Sequence, residues 1–189
     1  MDIPQGQDLR SREDLAKALK DSYQAFTDAA DGLSDTAFFL RPSPERWSAG
    51  EQTLHLIRSV KAVGSGLGYP KLMLLVLFGG AKTSRSLEEV VEDYRQHLGR
   101  GGKASGRYVP ELNVPVDPET EELVRQRLMK SWQKAGTSLN AALDRWSETD
   151  LDRRRLPHPL IGKLTVREML FFTVYHNHHH AESVRGLSA

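Results

Sequence analysis

Apolar residues recur at helical spacing in four long segments of this chain, and each segment has a recognisable start. Ser48 with Glu51 and Thr165 with Glu168 form capping boxes, in which the first side chain caps a free amide and the glutamate reaches back. Asp117 followed by Pro118 is a further helix start. The pattern predicts helix A over about 12–30, helix B over about 50–65, helix C over about 119–146 and helix D over about 166–185.

The connections between these segments determine the predicted architecture. Short loops rich in proline and glycine join A to B and C to D, whereas about 50 residues separate B from C. That excursion, residues 67–117, contains one short predicted helix over 86–98, and strand signals are nearly absent from the chain. The sequence therefore predicts an all-α fold, a four-helix bundle with a long excursion between helices 2 and 3, in a single domain over 1–189.

Four of the seven histidines lie within five residues of helix D, in "HNHHH". At 100° per residue, His176 and His180 share the apolar face of the helix, one turn apart. His178 points away from this face and is expected to be solvated, and His179 lies at its margin. An i, i+4 pair can bind one metal ion, but it supplies only two of the three or four ligands that a site needs. Core histidines that only form hydrogen bonds are the alternative.

A third ligand would have to come from another helix. His55, early in helix B, is the natural candidate, although its periodicity places it at the boundary of the core, about 100° from the apolar face. His97 in the excursion and His158 in the loop between C and D are further possibilities without a supporting pattern.

Composition narrows the chemistry and the location. The chain has no cysteine, which removes disulfides, thiolate ligands and a cysteine nucleophile. A formal net charge of +1 gives no electrostatic argument for nucleic acid or an anionic membrane. The N-terminal residues do not have the pattern of a signal peptide, and the longest apolar run, "LMLLVLF", is far shorter than a membrane span. A cytoplasmic location is expected.

Two segments resemble the DinB/YfiT-like superfamily: "WSAGEQTLHL" (47–56), and "HPLIGKLTVREMLFFTVYHNHHH" (158–180), with its G-x-L-T turn before His-x-x-x-His. The resemblance covers the four helices in order and departs in the long excursion. It implies a four-helix bundle, often dimeric, with His55, His176 and His180 as ligands of a divalent metal. Zinc is the default metal, and nickel, iron or copper also suit three imidazoles.

The resemblance implies a metal-dependent enzyme, either a hydrolase or an S-transferase for low-molecular-weight thiols acting on a small molecule. A thiol would have to be a cosubstrate, since the chain has no cysteine. The catalytic base is unknown, because Glu51 and Glu168 already have capping roles. The alternative is a non-catalytic, metal-stabilised or ligand-binding bundle.

A third possibility places the function in the excursion. The run from Leu72 to Phe78 could be an exposed docking patch for a partner, but packing against the bundle or a second subunit is the preferred interpretation.

Overall fold

The computed structural model describes residue 9 and residues 11–112 and 117–187. Within these residues the fold is helical, with one two-stranded hairpin. The helices are α1 (Arg12–Asp31), α2 (Asp35–Phe39), α3 (Ala49–Leu67), α4 (Lys71–Phe78), α5 (Leu87–Gly99), α6 (Pro118–Leu143), α7 (Glu148–Arg153) and α8 (Val166–Arg185). The strands are β1 (Arg155–His158) and β2 (Gly162–Thr165), and a single 3-10 turn spans Gly106–Tyr108.

The four long helices, α1, α3, α6 and α8, are the predicted helices A to D and form the bundle. Helix α1 packs against α6 and α8, and α3 packs against the same two helices, so the four surround one core. The all-α prediction is confirmed. Helix α6 ends at Leu143, three residues before the predicted end at Trp146. The chain turns there, and the Trp146 indole donates a hydrogen bond to the Leu67 carbonyl (3.2 Å).

The helix starts expected from the sequence are present as hydrogen bonds. In each capping box the first side chain accepts from the backbone N–H of the glutamate, and that carboxylate accepts from the backbone of the cap. Both bonds form in three pairs: Ser48 with Glu51, Ser86 with Glu89 and Thr165 with Glu168. Asp117 also caps α6, by accepting from the Thr120 N–H.

The excursion lies on the bundle at several points. Helix α5 packs against α8, α4 against β1, and the 3-10 turn against α3. Arg85 pairs with Glu168 and Asp93, and the Ser84 hydroxyl donates to Asp152 (2.6 Å). The start of α8 is thereby tied to the excursion. That residues 67–117 are an insertion in one domain stays a prediction.

Helix α4 contains the longest apolar run, and most of that run faces outward. Leu74 is fully buried, whereas Leu72 and Val76 are 70% and 76% exposed. The prediction that this run packs against the bundle is therefore wrong for most of its residues, and packing against a second subunit stays a prediction. Helix α4 has only eight residues and packs on one side, against β1, so its other side stays exposed. The expected homodimer stays a prediction.

A short hairpin replaces part of the loop expected between helices C and D. Strands β1 and β2 pair antiparallel, with Arg155 opposite Thr165 and His158 opposite Gly162. Each strand has four residues, too few to give a clear alternation of apolar and polar positions. Gly162 has φ +79°, a left-handed conformation that glycine adopts at little cost and that lets the turn close.

Across residues 11–112 and 117–187, no single helix is long and apolar enough to cross a membrane. Helices α3 and α4 pass that test only as a pair, and they meet at a bend of 107°.

The cap of α8 gives a test of this fold. Thr165 is buried and its hydroxyl contacts both the Glu168 N–H (3.1 Å) and the Ser84 hydroxyl (2.7 Å). We expect Thr165→Ala to lower the free energy of unfolding by about 1 to 2 kcal/mol, measured by urea denaturation. Thr137→Ala is the control, because Thr137 is exposed and bonds only within α6. Equal stabilities of the two variants would contradict the capping role.

Candidate metal centre

His176 and His180 lie on the inward face of α8, as the helical wheel predicted. Both are buried, at 5% and 8% exposure, and their ring centroids are 4.7 Å apart. Position i, i+4 on one helix places the two rings on the same side, where α8 faces α3.

His55 reaches the same point from α3. Its predicted place at the boundary of the core is wrong, because it is only 6% exposed. The excursion covers it: the His55 Nδ1–H donates to the carbonyl of Tyr108 in the 3-10 turn (2.7 Å). Arg58, one turn further along α3, fastens the same segment by donating to the carbonyls of Arg107 and Val109 (3.0 and 2.8 Å). Periodicity within α3 could not reveal a cover supplied by a distant loop.

The three imidazoles meet through their Nε2 atoms. His176 Nε2 lies 3.1 Å from His55 Nε2 and 3.2 Å from His180 Nε2. Zinc–nitrogen bonds of about 2.0 Å at tetrahedral angles would place two nitrogens about 3.3 Å apart. Among the residues that the structure describes, these three histidines form the group whose ligand atoms are close enough to hold one metal ion. That they are metal ligands stays a prediction.

The protonation of two rings is fixed by their other nitrogen. His55 Nδ1 faces a carbonyl oxygen, and His180 Nδ1 faces the side-chain oxygen of Gln52 (2.8 Å). The Gln52 amide is itself oriented, because its NH2 group donates to the Trp47 carbonyl (3.2 Å). Each Nδ1 therefore carries the proton, and each neutral ring presents a lone pair at Nε2. This is the form in which imidazole binds a metal. The Tyr108 carbonyl and the Gln52 oxygen are the kind of acceptors that usually orient metal-binding histidines.

Burial keeps all three rings uncharged. Loss of solvent lowers the pKa of His55, and it lowers the pKa values of His176 and His180 well below the usual histidine range. Mutual repulsion among the histidines lowers the last two further, while the Tyr108 carbonyl opposes the shift at His55. The neutral form of the rings is thus favoured at neutral pH, and no carboxylate among the described residues opposes the shift.

A cavity of about 520 Å³ opens beside the cluster, and all three histidines line it. No aspartate or glutamate lines it among residues 11–112 and 117–187. Its wall is largely apolar and includes Val60, Phe78, Leu98, Leu156, Met169 and Phe172, and two cations, Lys103 and Arg107, also line it. Three candidate ligands on one side and a cavity on the other leave room for an external ligand.

The two glutamates considered as bases are engaged elsewhere. Glu51 closes its capping box and pairs with Arg41, which lowers the pKa of Glu51 although burial opposes this shift. Glu168 accepts from Thr165 and from Arg85. Their capping roles are confirmed, and neither lines the cavity.

The remaining histidines divide by position. His178 is half-buried, so the expectation that it would be solvated is only partly met, and His179 lines the cavity beside His180. His97 contacts Asp93 on its own helix, away from the cluster. His158, from the end of β1, lines the cavity without joining the three.

Sequence reasoning did not identify three participants in the cluster. Gln52 could have been found, because it precedes His55 by one turn and shares its side of α3. Trp47, in the loop before α3, stacks on His180 (6.5 Å between centroids) and contacts His55 (5.1 Å). The Tyr108 carbonyl lies in an irregular segment, and no side-chain pattern marks a backbone acceptor there.

Comparison with known proteins supports the resemblance on which His55 was first chosen. No curated protein matches the sequence significantly. One family does: its model, described as the DinB superfamily, matches residues 18–184, which include α3 and α6 in full, most of α1 and α8, and the three clustered histidines. The match spans most of the chain, and the chain therefore belongs to the DinB superfamily.

Proposed function

We propose that this protein is a metal-dependent enzyme that transfers a low-molecular-weight thiol to a small, mostly apolar electrophile. His55, His176 and His180 would hold the metal, for which we expect zinc, with nickel and iron as alternatives. The observation that carries the proposal is the buried group of three Nε2 atoms at the wall of a cavity that no carboxylate lines among the described residues.

Charge favours a thiol over other cosubstrates. A divalent ion held by three neutral imidazoles supplies Lewis acidity and a net charge of about +2, which lowers the pKa of a water or thiol that binds beside it. No carboxylate among the described cavity-lining residues offsets that charge. An anion is therefore the preferred external ligand, and a thiolate is an anion formed easily near neutral pH.

The chain's own residues favour transfer over hydrolysis. A hydrolase of this kind benefits from a carboxylate base next to the attacking water, and Glu51 and Glu168 are committed to caps and arginine pairs. A thiolate needs no such base once it has formed. The mostly apolar wall suits an electrophile with little charge.

The non-catalytic alternative is a bundle that the metal only stabilises. In that case a fourth protein ligand would close the site. All three histidines line the open cavity, and no cysteine, aspartate or glutamate joins them among the described residues. This arrangement favours a site that accepts an external ligand.

The hydrogen bond between His180 and Gln52 gives a test of the metal site. We expect Gln52→Leu to weaken zinc affinity by about 10-fold to 100-fold, because the His180 Nδ1–H loses its acceptor and the ring its orientation. Affinity is measured by competition with a chromophoric chelator. Gln133→Leu, an exposed glutamine on α6, is the control. Unchanged zinc affinity in Gln52→Leu would contradict the assigned tautomer of His180.

Thiol binding tests the proposed function directly. We expect the cobalt(II)-loaded protein to develop a thiolate-to-cobalt charge-transfer band when 2-mercaptoethanol is added, and no such band with ethylene glycol. His178→Ala should behave as wild type, whereas His176→Ala should not show the band. An unchanged cobalt spectrum in the wild type would favour the closed, stabilising site.

Turnover is then followed with the same thiol and monochlorobimane as electrophile. The zinc-loaded protein should accelerate formation of the thioether, and His176→Ala should abolish the acceleration. Thiol binding without acceleration would contradict the enzyme and leave a ligand-binding bundle.

A further inference from the structure

His158 has a role at the cavity that the metal site does not explain. Its Nδ1 accepts hydrogen bonds from the backbone N–H groups of Leu160 and Ile161, each at 3.1 Å, and so holds the turn between the two strands. A nitrogen that accepts two hydrogen bonds carries no proton. The proton of the neutral ring is therefore on Nε2, and His158 can only donate from that atom.

The surroundings keep the His158 ring neutral and place it near the cluster. The ring packs edge-to-face on Phe172 (4.3 Å between centroids) and on Tyr94 (6.3 Å), and Phe172 stacks on His176 (4.9 Å). Burial lowers the pKa of His158 to about 4, although the charge of Asp93 opposes the shift. One aromatic residue thus separates His158 from the candidate metal ligands, on the wall of one cavity.

The Nε2–H of His158 has no hydrogen-bond acceptor in the part of the chain that the structure describes. The atom is not fully buried either, so an acceptor on a ligand in the cavity can reach it. If His158 served only to hold the turn, the Nδ1 contacts would suffice, and an asparagine would do as well.

We propose that the Nε2–H of His158 binds a neutral acceptor oxygen, such as a carbonyl, of a mostly apolar substrate lying beside the histidine cluster. A neutral acceptor is preferred because this part of the wall is aromatic and apolar and His158 brings no charge. Lys103 and Arg107 line other parts of the cavity, but His158 and the two rings packed on it are uncharged, so a carboxylate at this donor would exchange its hydration for one neutral hydrogen bond. This inference rests on the proposed function, since it names the class of the second substrate.

The two histidine nitrogens can be replaced separately. Asparagine at position 158 places an oxygen near the position of Nδ1, so it can still accept from the Leu160 and Ile161 N–H groups, but it lacks the outer donor. Glutamine places an NH2 group near the position of Nε2 and gives up the turn contacts. His158→Asn therefore removes the proposed ligand contact, and His158→Gln is its matched counterpart.

The test uses two probes of nearly the same shape, 4-fluoroacetophenone and 1-fluoro-4-isopropenylbenzene, in which a C=CH2 group replaces the carbonyl. Binding to the full-length protein is followed by fluorine NMR titration, with and without zinc. We expect His158→Asn to weaken binding of the ketone by about fivefold, as for the loss of one hydrogen bond, and to leave binding of the alkene within about twofold. His158→Gln should keep most of the ketone affinity.

Wild-type protein provides a measurement that does not depend on how the variants fold. Long-range proton–nitrogen NMR should show the Nε2-protonated tautomer of His158, and the ketone, but not the alkene, should shift its Nε2 resonance. The inference is overturned if neither probe binds, if His158→Asn weakens both probes equally, or if the ketone leaves the Nε2 resonance unchanged. Because the probes can bind without metal, a protein that binds the ketone but no zinc would refute the proposed function alone.

Discussion

Three imidazole rings buried against one another are the constraint on which the rest of this structure depends. Little of their surface reaches water, so the neutral form is favoured, and the protonated Nδ1 atoms need acceptors inside the protein. The Tyr108 carbonyl and the Gln52 side chain meet that requirement for His55 and His180. Because those two Nδ1 atoms carry the protons, the Nε2 lone pairs of both rings point toward His176. A cation bound between the three Nε2 atoms would be stabilised by these lone pairs.

The excursion contributes directly to this site. Its 3-10 turn supplies the acceptor for His55 and covers one side of α3, and the Arg58 contacts fasten it there. The same region contributes Tyr94 and Leu98 of α5 to the cavity wall. A bundle without these residues would leave His55 at the half-exposed boundary that its periodicity indicates. The excursion and the bundle therefore together determine the geometry of the histidine cluster and the shape of the cavity.

Sequence alone predicted the parts that depend on local rules. The long helices follow from apolar spacing and capping boxes, and His176 and His180 follow from the wheel of one helix. His55 came from the resemblance alone, because its burial depends on chain contacts some 50 positions away that no local pattern records. The hairpin was missed for a related reason: four-residue strands have too few positions to show a period of two. His158 was noted as a possible ligand. Its Nδ1 instead accepts two backbone hydrogen bonds in the turn of the hairpin, which leaves its Nε2–H as a donor toward the cavity.

Metal content of untagged protein, never exposed to a nickel column, tests the central claim most directly. Elemental analysis would compare the wild type with His55→Ala, His176→Ala and His178→Ala, the last a half-buried histidine of the same run outside the cluster. We expect about one tightly bound divalent metal per chain in the wild type and in His178→Ala, and none in the other two, as three converging Nε2 atoms require. A wild type without metal, or a metal that survives the loss of His55, would contradict it.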